Sequence, residues 1–107
     1  MVNIVLYKKD GLYFKYEALG HANYDVYGKD IVCAGISAIA QTIMMGLDEI
    51  SSINHDLSGG KIEVIVQDED IAREGVQALF KAFDLGIKAI EDEYPEYVKL
   101  KIVNKAP

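Results

Sequence analysis

Asp30-Ile31-Val32-Cys33-Ala34-Gly35-Ile36-Ser37-Ala38-Ile39-Ala40-Gln41-Thr42-Ile43-Met44-Met45-Gly46-Leu47-Asp48-Glu49-Ile50 decides the fold of this chain. Val32, Ile36, Ile39, Ile43, Leu47 and Ile50 recur at steps of three and four, the spacing of one apolar stripe on an α-helix. Asp30 stands where a carboxylate can accept the first free N–H groups of a helix. The stretch predicts a capped helix from residue 31 to the low fifties with one face buried.

Upstream, residues 2–8 are rich in Val, Ile, Leu and Tyr and predict a strand. Asp10-Gly11 carries the turn signal of a hairpin. Residues 12–19 alternate, with Leu12, Phe14, Tyr16 and Ala18 on one side and Tyr13, Lys15 and Glu17 on the other, so a second strand with one wet face is expected. Residues 20–29 hold Asn23, Asp25 and bracketing glycines at 20 and 28. They predict an irregular connection long enough to be functional. Downstream, residues 54–60 predict a loop and residues 61–67 a third strand with Ile62, Val64 and Val66 on one face. Asp68-Glu69-Asp70 predicts the acidic start of a second helix. Ile71, Val76, Leu79, Phe83, Ile87 and Ile90 supply its stripe, and Pro95 ends it. Residues 97–103 alternate as a last strand. The expected fold is α+β, in the order ββαβαβ: a mostly antiparallel four-stranded sheet with both helices on one face, and residues 1–107 as a single domain. The opposite sheet face keeps several apolar groups and is a candidate dimer surface.

The 107 residues carry 11 basic and 17 acidic side chains, a net charge of −6, which argues against a nucleic-acid-binding surface. A single cysteine makes no internal disulfide and suits a reducing compartment. Met1–Tyr7 lacks the basic start and small-residue site of a signal peptide, and no apolar run reads as a membrane span. A soluble, cytoplasmic chain is the expectation.

Cys33 and His21 are the residues with chemistry. With Asp30 as cap, the thiol lies in the first helical turn, where the positive end of the helix dipole favours negative charge. The N–H groups of Ile31, Val32 and Cys33 would be free to hold an oxyanion. His21 precedes the irregular loop and would serve as base. Ser37 lies four residues on, on the same helical face, and its hydroxyl would reach the sulfur or a substrate. Tyr24 or Tyr27 would shape the pocket. The plain alternative keeps Cys33 as a small buried hydrophobe and Asp30 as a cap alone. His55 is expected at the surface. Two histidines and one cysteine make no metal set, and no cofactor is expected.

Gly20-His21-Ala22, Gly28-Lys29-Asp30-Ile31-Val32-Cys33-Ala34 and Ser37 together resemble the signature of the ribosomal-processing cysteine protease (Prp) family, and the resemblance extends over essentially the whole chain. It implies a homodimeric cysteine endopeptidase that removes the short N-terminal extension of a large-subunit ribosomal protein after an aromatic pair. By motif position it makes Cys33 the nucleophile and His21 the base. Asp30 and Ser37 become supporting residues, and Gly20 and Gly28 the bounds of a mobile loop. Gly35 departs from the alanine of many relatives. Two rival functions remain: a non-catalytic, ribosome-associated peptide-binding protein, and a thiol redox sensor.

Overall fold

A computed structural model of the chain describes residues 1–26 and 28–105. The elements run β1 (Val2–Lys9), β2 (Leu12–Leu19), α1 (Ile31–Ile50), β3 (Ile53–Asp56), β4 (Ile62–Val66), α2 (Glu74–Glu93) and β5 (Val98–Lys105). The sheet order is β3-β4-β2-β1-β5. Three neighbouring pairs are antiparallel, and β5 runs parallel to β1. The α+β class and the two-helix layer are as expected. The sheet has five strands rather than four, because Ile53–Asp56, whose residues from Asn54 on the sequence assigns to a loop, pairs with β4 through Ile53↔Val66 and His55↔Val64. This segment, Ile-Asn-His-Asp, has no apolar alternation, and only the backbone of β4 makes it a strand. His55 is exposed.

Four of the six predicted stripe residues of α1, Val32, Ile36, Ile43 and Leu47, are buried, and Ala40 joins them; Ile39 is half-buried and Ile50, at the helix end, is exposed. By length and composition this helix would also suit a membrane. Its stripe packs instead into the hydrophobic core shared with the sheet and α2. Tyr16 on central β2 joins the layers. Its ring stacks on Phe83 of α2 at 4.1 Å, and its hydroxyl donates to Ala40 O of α1 at 2.6 Å. Gly35 lies where the helices meet, with Ile90 beside it.

Two local expectations change. A register shift between Tyr7 and Lys8 inserts an extra residue in β2, so Lys8 faces Tyr13 while Tyr7 faces Lys15. Tyr13 therefore joins Tyr16 on the helix side, stacked on Phe80 at 5.7 Å, and Phe14 turns to the open face beside Tyr7. Residues 68–70 do not open α2. They form a short turn of their own, and α2 begins at Glu74 after an extended Arg73. The cause is Asp70, which is buried rather than solvated. Its carboxylate accepts from Ser52 N at 2.8 Å and pairs with Arg73 Nε at 2.9 Å, tying this turn to the end of α1.

Candidate active site

The site forms where β2 ends and α1 begins. Gly20 has a φ of +90°, and a Cβ there would lie 2.7 Å from Met1 O, so the chain leaves β2 through a position only glycine fits. The next residue, His21, is exposed, and its carbonyl accepts a 2.8 Å hydrogen bond from the Met1 ammonium. Its ring lies over Gly60, in the turn before β4. Ala22 then turns inward, is buried, and donates its N–H to Cys33 Sγ at 3.1 Å.

Asp30 is the N-cap of α1, and it does more than cap. Oδ1 accepts from Val32 N and Cys33 N, both at 3.0 Å. Oδ2 accepts from Tyr24 N at 3.0 Å and Asp25 N at 3.4 Å. One carboxylate thus joins the helix start to the preceding loop. Desolvation pushes its pKa up, but the donations from Cys33, Tyr24 and Asp25 outweigh it and hold the carboxyl below its ordinary value. The same contacts correct one expectation. The Val32 and Cys33 amides are occupied by Asp30 rather than free for an oxyanion, and the amide aimed at the sulfur is that of Ala22.

Cys33 is half-buried, one position off the core stripe. Two clefts meet at it. The smaller, about 330 Å³, has apolar walls from Val2, Ala18, Ile36, Leu57 and Ile62 with Gln41 and Lys61 among them. The larger, about 550 Å³, is lined by His21, Asn23, Asp25, Gly28, Asp30, Cys33, Ala34 and Ser37. His21, Cys33 and Ser37 belong to both. Ser37 Oγ accepts from Gln41 Nε2 at 2.7 Å. Gly28 has a φ of +87° and lines the larger cleft. Tyr24 lines neither; its ring leaves the site and packs against Tyr94 and Tyr97. Tyr27 lies outside the described residues.

The sequence did not reveal the β3–β4 turn as a wall of the smaller cleft. Asp56 shapes that turn by accepting from Ser58 Oγ at 2.6 Å and Ser58 N at 2.9 Å, and it pairs with Lys61 at 3.3 Å. The Ser58 hydroxyl and amide, then Lys61, bring its pKa down to about 2. The Asp-x-Ser spacing at 56–58 signals such a turn, but not which cleft it would border.

A half-buried thiol with an N–H at its sulfur, in two clefts that His21 also lines, is an arrangement for attack on a peptide bound in them. The model of the family described as cysteine protease Prp matches residues 1–99. This chain belongs to the cysteine protease Prp family. It is accordingly a cysteine peptidase. The ribosomal processing cysteine protease Prp of Staphylococcus aureus (strain Mu50) is 34% identical over 85 residues, covering 76% of this chain and 78% of the relative. The crystal structure of an essential ribosomal processing protease Prp from S. aureus, in complex with a covalently linked product peptide, superposes with a TM-score of 0.84 at 27% identity. It covers 95% of this chain and 99% of that one. The structure of SMU.848 from Streptococcus mutans gives a TM-score of 0.80 at 31% identity, over 98% of this chain and 96% of its own.

Proposed function

We propose that this Prp-family chain removes the short N-terminal extension of a large-subunit ribosomal protein, with Cys33 as nucleophile and His21 as general base. The observation that carries the proposal is the meeting of two clefts at one thiol, each also bordered by the same imidazole. A peptide laid from one cleft to the other presents its carbonyl to Sγ. His21 takes the thiol proton, Cys33 adds to the carbonyl, His21 returns the proton to the leaving amine, and water releases the acyl group from sulfur. The Ala22 amide, which donates to Sγ before substrate arrives, would turn to the oxyanion as it forms beside the sulfur. Asp30 holds that geometry by fixing the loop to the helix start, and Ser37 offers its hydroxyl to the bound chain. Gly20 and Gly28 are the positions about which the loop adjusts to substrate.

The substrate assignment rests on the relatives' role in ribosomal processing and on complementarity. The apolar walls of the smaller cleft suit an aromatic side chain, and Asp25, Asp30 and the net charge of −6 suit a basic extension. Action on ribosomal proteins would suit a cytoplasmic enzyme. A homodimer would use the sheet face away from the helices. There Tyr7 and Phe14 pack together, with Lys99 and Lys101 on edge strand β5 and Asp56 and Glu63 toward the other edge, so a twofold axis sets unlike charges opposite.

The test is cleavage of a peptide copied from the extended N-terminus of the host's own ribosomal protein, read by intact mass. A single cut is expected, falling roughly 10³-fold or more in both Cys33→Ala and His21→Ala, with both variants still folded. A cut that survives Cys33→Ala overturns the mechanism. Tight binding without a cut by the native chain would favour the peptide-binding alternative.

A further inference from the structure

The loop between His21 and Asp30 supplies the two amides that matter at the site, Ala22 N to Cys33 Sγ and Tyr24 N to Asp30 Oδ2. Beyond these hydrogen bonds, the loop is anchored by a side chain that leaves the site. The Tyr24 ring stands edge-on to Tyr94 at 5.3 Å and 77°, and edge-on to Tyr97 at 5.2 Å and 85°. Such T-shaped pairs set the electropositive edge of one ring against the electronegative face of another. The two partners are themselves tied in by backbone hydrogen bonds. Tyr94 N donates to Ile90 O at 2.8 Å at the end of α2. Tyr97 O accepts from Val2 N at 2.9 Å, where β1 begins, and Val98 N donates to Tyr94 O as β5 begins. Tyr24 is 41% exposed and lines neither cleft, so neither core packing nor substrate contact accounts for its placement.

We propose that Tyr24 is a positioning residue: its ring, clamped by Tyr94 and Tyr97, holds the 22–25 backbone so that the Ala22 and Tyr24 amides stay on Cys33 and Asp30. Without the clamp the loop keeps its hydrogen-bonding groups but loses their fixed place, and an amide displaced by a fraction of an ångström no longer serves the sulfur. The clamp needs aromatic rings rather than a phenol. Phenylalanine at 24 therefore preserves it, and removal of Tyr97 from the other side breaks it. The proposal rests on the peptidase function for its catalytic arm, while its structural arm is independent of any substrate.

The experiment compares native chain, Tyr24→Ala, Tyr24→Phe and Tyr97→Ala by steady-state cleavage of the ribosomal-protein peptide and by amide hydrogen exchange of the 22–26 segment. Tyr24→Ala is expected to lower kcat roughly tenfold, with KM within about twofold, and to speed exchange of the segment by a similar factor. Tyr97→Ala should do the same, and Tyr24→Phe should behave as the native chain. Equal exchange and equal kcat in Tyr24→Ala and the native chain would overturn the clamp. So would a Tyr24→Phe variant as impaired as Tyr24→Ala, because the hydroxyl rather than the ring would then matter. If the native chain cuts no peptide, the peptidase function fails while hydrogen exchange still decides the clamp.

Discussion

Gly20→Ala tests how tightly the start of the chain and the site are coupled. At a φ of +90° an L side chain is strained by about 1–2 kcal/mol. A new Cβ would also sit 2.7 Å from Met1 O, and must retreat by about 0.7 Å to reach ordinary contact at 3.4 Å. Met1 cannot give way freely. Its ammonium donates to His21 O at 2.8 Å, and Val2 N is held by Tyr97 O at 2.9 Å. Loosening one such bond adds about 1 kcal/mol, so the expected loss is about 2–3 kcal/mol. For a chain of this size that lowers Tm by roughly 10–15 °C. Because His21 follows directly, kcat/KM should also fall by roughly tenfold or more. Gly11→Ala is the control. Its φ is +80°, but a Cβ there meets nothing within 4 Å, so it should show the conformational strain alone and full activity. The assay is a thermal melt with peptide cleavage on both variants. Equal Tm losses in the two, with activity intact in both, would refute the argument from close approach.

Two other outcomes follow from the hydrogen bonds. Asp30→Ala removes the acceptor shared by Val32 N, Cys33 N, Tyr24 N and Asp25 N. Cleavage should be lost and exchange of the 22–26 amides should quicken while α1 persists by circular dichroism; unchanged loop exchange would sever the proposed link between cap and loop. Tyr13 Oη donates to Asp84 Oδ2 at 2.7 Å, and this pair should bound the pH window of stability on both sides. Burial, then the bond to Asp84, raises Tyr13 to about 12, so its contribution is complete below 10 and is lost as pH climbs toward 12. At Asp84 burial is outweighed by the bonds from Tyr13 and Lys88 and the charge of Lys81, which lower its pKa. Its contribution is present above the ordinary 3.8 and is lost as pH falls through the lowered value. Urea midpoints against pH should fall at both ends in the native chain and flatten in Tyr13→Phe; identical curves for the two would remove the pair from the account.

The helices, the hairpin and the cap at Asp30 were legible in the sequence because each depends on neighbours a few residues apart, and the blocks at 20–22 and 28–34 were legible as a resemblance to a known family. A 3.6-residue apolar period, an Asp-Gly turn and a carboxylate ahead of a helix act through local geometry alone. Three features were set by distant parts of the chain. Ile53–Asp56 becomes a strand only because β4 offers a ladder, Tyr13 and Phe14 exchange faces only because the register of β1 against β2 slips, and Asp70 is buried only because Ser52 lies beside it. The site divides in the same way. Sequence placed Cys33 at the head of a helix and His21 at the end of a strand, but the wall from Leu57 to Ile62, the capture of the Val32 and Cys33 amides by Asp30, and the seat of Tyr24 on Tyr94 and Tyr97 depend on which groups meet in space. Local pattern fixes which backbone conformations a segment favours; the partner of each polar group and ring is chosen only when long-range packing decides what lies within reach.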